Sequence, residues 1–159
     1  MAVLTAALTK FYIGGQVDND TDGPVSELAY VEVGEIANLG EFGDVFELIT
    51  FAALSDRNVR KFKGTRNSGS VTLELGNDIT NDGQQDLESA KESDLDFNFK
   101  IELNDNASPP TTTSMPTTYF FQGKVFSFTT NVGEVNSIVG ATVVVEIQSG
   151  TLSRVNAVP

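Results

Sequence analysis

The sequence predicts a mainly β fold, a β-sandwich or partly closed barrel with one flanking α-helix. Three observations point there. Several segments alternate apolar and polar residues with period two, the pattern of half-buried strands. A single stretch, residues 79–95, changes to helical spacing. Gly and Thr are frequent and Phe is the main aromatic, a mix that favours sheet over helix bundle. At 159 residues the chain fits one domain, 1–159, with enough length to bury its own core.

Taken in order, residues 10–17, KFYIGGQV, form a first strand with Phe11 and Ile13 on one side. DNDTDGPVS is a turn-rich loop. Residues 29–36, AYVEVGEI, form a second strand in which Val31 and Val33 share a face. Residues 45–54, VFELITFAAL, are more apolar and less regular, and are read as a strand. After a basic window comes SVTLEL, with Val71, Leu73 and Leu75 on one face and Ser70, Thr72 and Glu74 on the other. Ile79, Gly83, Leu87, Ala90 and Leu95 then lie at helical spacing. The helix is placed at 82–93, packing through Leu87 and Ala90, with Asn81 or Asp82 as its cap. In DFNFKIEL, residues Phe97, Phe99, Ile101 and Leu103 face a core, while Asp96, Asn98, Lys100 and Glu102 face away. Residues 104–118 are a flexible or extended loop rich in Thr and Pro. YFFQGKVFSFTT resumes as a strand, with Gly123 as the expected bulge. ATVVVEIQSG ends the sheet, with Ala141, Val143, Val145 and Ile147 inward.

Composition removes whole classes of chemistry. The chain has no Cys and no His. Disulfides, thiolate metal sites, the usual zinc ligand and the usual general base are therefore absent. No enzymatic activity and no cofactor are expected. The amino terminus lacks the charged region and longer apolar run of a signal peptide. No stretch approaches the roughly 20 apolar residues that span a bilayer. The chain is expected to be soluble, used without export and without a membrane partner. Its net charge of -12 should repel nucleic acid overall.

Three clusters are candidate sites. Asp18, Asn19, Asp20, Thr21, Asp22 and Gly23 match the front half of a calcium loop, but Ala29 stands where the closing Glu belongs. An acidic surface turn is the better reading. Asp82, Asp86, Glu88, Glu92, Asp94 and Asp96 fall mostly on the solvent face of the helix, which argues against a catalytic pair. The third is SDRNVRKFKGTRNSG, residues 55–69. It holds Arg57, Arg60, Lys61, Lys63 and Arg66, half of all the Lys and Arg in the chain. Phe62 is its lone aromatic, so a single-strand nucleic-acid platform is not indicated. On charge alone, a solvated loop and a dock for the acidic surface of a second copy stand equal. Complementary charge fixes orientation and register, and a head-to-tail contact can propagate as a ring or filament.

The order of pieces then weighs in. VEVGEIANLGEFGDVFELITFAALSD leads into the basic stretch and KGTRNSGSVTLEL. NDGQQDLESAKES, DFNFKIEL, the Thr-rich loop, YFFQGKVFSFTT and ATVVVEIQSG follow. From about Phe11 to Gly150 this resembles the major tail tube proteins of long, non-contractile-tailed bacteriophages. The resemblance implies a β-sandwich subunit with a flanking helix and hexameric rings that stack into a tube. Strands of neighbouring subunits would join in an inner barrel around a DNA channel. It implies a long loop at about 40–69 that reaches the adjacent ring, which would make Arg57, Arg60, Lys61, Lys63 and Arg66 an inter-subunit or inter-ring contact. A negative bore would leave DNA unbound, and Glu74, Asp96, Glu102 and Glu146 are the candidates for its wall. The implied partners are the subunit itself, other tail proteins at the tube ends, the tape measure protein, and DNA passing through without specific binding. The implied place is the virion tail, assembled in the host cytoplasm. A tail terminator or another tail or secretion tube component shares the fold. A calcium- or sugar-binding β-sandwich module is a more distant alternative, because Tyr12, Tyr30 and Tyr119 are scattered over separate strands.

Overall fold

A computed structural model describes residues 3–17, 29–105 and 115–157. Its strands are β1 (Lys10–Gln16), β2 (Val31–Val33), β3 (Ile36–Asn38), β4 (Val45–Ala52), β5 (Val59–Asn67), β6 (Ser70–Gly76), β7 (Phe97–Glu102), β8 (Thr118–Asn131), β9 (Gly140–Ile147) and β10 (Ser153–Val155). One helix, α1 (Asp82–Lys91), lies between β6 and β7.

The main sheet runs β2-β1-β7-β8-β9-β6-β3, with β10 added on β8, and its register pairs are antiparallel. Its two edge strands, β2 and β3, are consecutive in the chain, with Gly34 and Glu35 between them. Three Cα steps of 3.8 Å hold Val33 and Ile36 within about 11 Å of each other. The sheet must therefore roll until its edges approach, although it does not close. The inner face of the roll buries Phe11, Phe99, Phe121, Leu73, Val143 and Val145 completely. Phe99 stacks on Phe121 at 5.3 Å and meets Phe11 at 5.7 Å.

α1 is fixed at the seam between β2 and β3. Asn81 is its cap: the side-chain oxygen accepts the Gln84 N–H at 3.0 Å and the Gly34 N–H at 3.3 Å. Gln84 is buried and donates to the carbonyls of Gly34 (3.1 Å) and Gly76 (2.9 Å) while accepting the Asp78 N–H (3.0 Å). Leu87 and Ala90 are the buried stripe, as the spacing predicts. Gly83 lies so close to β2 that a Cβ would sit 2.3 Å from the Glu32 carbonyl oxygen. The helix ends at Lys91, two residues before the predicted end.

Three expectations need correction. Residues 59–67 of the basic window, read as a solvated loop or a dock, form strand β5, with Arg57 in the turn before it. The bulge in β8 falls between Val125 and Ser127, not at Gly123. Gly123 answers a different need, since a Cβ there would meet the Glu146 carbonyl oxygen at 2.2 Å. Asn98 points away from the core yet is buried, bonding the Gly15 carbonyl (3.1 Å) and accepting from Gln122 (3.4 Å). The calcium-like turn, residues 18–23, and the centre of the Thr-rich loop, 106–114, lie outside the described residues.

Candidate assembly interface

β4 and β5 form a two-stranded hairpin separate from the main sheet. Val45 pairs with Asn67 at its root and Ala52 with Val59 near its tip. Half-buried Gly64 apart, every residue of both strands is exposed. The strands therefore persist by pairing with each other rather than by covering the core. A lone hairpin is marginal in water, so a second surface is the natural complement to this one.

The register divides its side chains between two faces, because directly opposed residues share a face. One face holds Phe46, Leu48 and Thr50 on β4 with Lys61, Lys63 and Arg66 on β5. The Lys63 ammonium sits 3.6 Å from the centroid of Phe46, which fits that assignment. The other face holds Ile49 and Phe51 with Arg60 and Phe62. Leu48, Phe51 and Phe62 are 62%, 54% and 54% exposed. These apolar residues escaped the sequence reading: an apolar run normally marks burial, and nothing local says that this strand leaves the core.

The root is tied down by Asp44. Its carboxylate accepts from the Ser68 hydroxyl at 2.5 Å and lies 3.7 Å from the Arg66 guanidinium. Ser68 is buried, and its N–H donates to Ser149 Oγ at 3.2 Å. Arg57, Arg60 and Lys61 have no carboxylate within 4 Å among the described residues. All five basic residues of the window thus sit on or beside one exposed hairpin, and among the described residues only Arg66 has an ion pair.

The four carboxylates proposed for a wall divide two and two. Glu74, Glu102 and Glu146 occupy the sheet face opposite the core, and Asp96 reaches the same face. Lys124 pairs with Asp96 at 2.5 Å, and Lys100 with Glu102 at 3.0 Å. Glu74 and Glu146 are exposed and carry no ion pair among the described residues. The face is therefore acidic by less than its carboxylates alone suggest.

Tyr12 and Tyr30, on separate segments, converge on Lys100, whose ammonium lies 4.1 Å and 5.1 Å from their ring centroids. The Tyr12 hydroxyl donates to Glu102 at 2.9 Å. Burial and the Glu102 carboxylate push its pKa well up, and burial pushes that of Tyr30 to about 12. Tyr119 is elsewhere, edge-on to Phe42 at 5.1 Å. On α1, Asp82, Asp86 and Glu88 are exposed, as are Glu92 at its C-cap and Asp94 just beyond. Among the described residues no carboxylate group is arranged to hold a metal ion, and no helix is long and apolar enough to cross a membrane.

Comparison with known proteins adds three findings. Residues 1–156 match the family described as phage tail tube, TTP, lambda-like. No curated protein matches the chain in sequence. Among solved structures, the fold is similar to the SPP1 tail tube (TM-score 0.64, 12% identity, covering 99% of this chain and 81% of that one). It is also similar to the sheath/tube terminator of the extracellular contractile injection system PVC (0.69, 11%, 98% of each chain). A third similar structure is the tube terminating cap of the anti-feeding prophage (0.68, 13%, 99% and 93%).

Proposed function

The chain belongs to the lambda-like phage tail tube family, and from that premise we propose that its subunits form hexameric rings that stack into the tail tube and conduct DNA during ejection. It is a structural component of a phage tail and not an enzyme. The hairpin is the observation that carries the proposal. A folded subunit that projects two exposed strands, with five cations and a row of large apolar side chains, is built to be covered. In an otherwise acidic protein, the surface of opposite sign most available to it is another copy.

The outer sheet face is the proposed bore wall. Glu74 and Glu146 supply its unpaired negative charge, while the lysines there are held by Asp96 and Glu102. A wall of that sign repels phosphate and offers no counterion release, so DNA passes without sticking. Assembly would take place in the host cytoplasm, around a tape measure protein and between other tail proteins at the two ends.

Reversing two hairpin charges tests the reading. Arg60→Glu with Lys61→Glu should leave circular dichroism and thermal unfolding of the subunit unchanged. In negative-stain micrographs the same variant should form no tubes. Normal tubes would remove the hairpin from the assembly. The fold likeness to the terminator and the cap favours a second reading, a ring that closes a tube end. Single rings at high concentration would support that reading, and stacks would support the first.

A further inference from the structure

The tube reading leaves open what receives the hairpin, and the topology singles out one surface. β6 and β9 pair over seven registered positions, from Ser70↔Glu146 to Gly76↔Gly140, about 20 Å from end to end. The hairpin is rooted at the Ser70 end, where the Gly69 carbonyl accepts the Ile147 N–H at 2.9 Å. At the Gly76 end lie the β2–β3 seam, the start of α1 and the β8–β9 turn, with Asn77 N–H on the Val139 carbonyl at 2.9 Å.

That second end is the chemical counterpart of the hairpin. Glu35, Asp82 and Glu134 are exposed there. The same segments carry Ile79, Val135 and Ile138, 78%, 101% and 87% exposed, and Ile138 lines one hollow with Glu35, Gly76 and Gly140. No Lys or Arg occurs in residues 32–38, 74–86 or 131–142. One end of the ladder thus carries cations with large apolar side chains, and the other carries carboxylates with apolar side chains. Like ends repel and unlike ends attract, the arrangement that builds open stacks rather than closed pairs.

We propose that the patch formed by Glu35, Ile79, Glu134, Val135 and Ile138 receives the β4–β5 hairpin of a second copy. Phe46 and Leu48 cover the apolar side chains of the patch, and Lys61 and Lys63 on the same hairpin face meet its carboxylates. The inference rests on the hairpin's role in assembly and adds the identity of the surface that it meets.

A charge exchange separates the two ideas. Lys61→Glu with Lys63→Glu should abolish tubes, and so should Glu35→Lys with Glu134→Lys. All four substitutions in one chain should restore them, because each copy again meets the opposite sign. If hairpin reversal abolishes tubes while patch reversal does not, or the quadruple variant stays monomeric, the hairpin docks elsewhere and the proposal fails while the assembly reading stands. If hairpin reversal leaves tubes intact, both fail. If the wild type shifts a DNA fragment at physiological salt and the hairpin variant does not, the cations serve nucleic acid and the proposal is overturned. The absence of Cys permits a direct check of contact. A Leu48→Cys, Val135→Cys double variant should oxidise to a ladder of disulfide-linked multimers when assembled. Tubes that yield only unlinked subunits would contradict the contact.

Discussion

Gln84 spends all three of its side-chain hydrogen bonds on backbone groups that hold the sheet edges to the helix. A leucine in its place fills similar space but bonds to nothing. Gln84→Leu should cost about 2–3 kcal/mol, since an unsatisfied buried polar group costs about 1–3 kcal/mol. Urea denaturation checks this, and a loss below about 0.5 kcal/mol would mean that the seam does not depend on Gln84. Tyr30 sets a pH limit. Its folded-state pKa of about 12 lies above the ordinary value of 10.0 because burial penalises the phenolate. A raised folded pKa gives stability that is fully present below pH 10 and lost as pH rises through about 12. Tyr12 adds to the same loss. Stability by urea titration should therefore fall between pH 10 and about pH 12, with a shallower slope in Tyr30→Phe. Equal slopes in the two proteins would exclude Tyr30 as the source.

Elements were legible wherever one face of a strand is buried and the other is not. Val71, Leu73 and Leu75 on β6, Phe99 and Ile101 on β7, and Val143 and Val145 on β9 all occupy the inner face that their alternation predicts. α1 was legible from Leu87 and Ala90 and from its cap. β5 was not, because VRKFKGTRN has no buried face to alternate with, and its extended form comes from pairing with β4 alone. The short edge strand β3 and the added strand β10, three residues each, are too brief for periodicity to register. The pairing of Lys100 and Lys124 with wall carboxylates was also hidden. Alternation tells which face a charge occupies, but not which charge lies across the strand. The hairpin gives the element-scale prediction. None of the buried core residues belongs to β4 or β5. Replacing residues 45–67 with a short Gly-Ser turn should leave the melting midpoint within a few degrees of the parent while abolishing tubes. A collapse of the fold would mean that the hairpin is structural.

At the scale of the whole molecule, the subunit joins three properties: a rolled sheet with a complete core, a basic apolar hairpin at one end of the β6–β9 ladder, and an acidic apolar patch at the other. Exposed ion pairs are weak singly, each about 0–1 kcal/mol. A joint of this kind therefore draws its strength from apolar cover and its orientation from charge. Repetition around a ring adds the contribution of every subunit. The most direct test is an electron cryomicroscopy reconstruction of the assembled protein at high concentration. The account predicts stacked sixfold rings, with the β4–β5 hairpins crossing from ring to ring and Glu74 and Glu146 facing the bore. Isolated globules with the hairpin bare to solvent, or a bore lined by Arg60, Lys61 and Lys63, would contradict it.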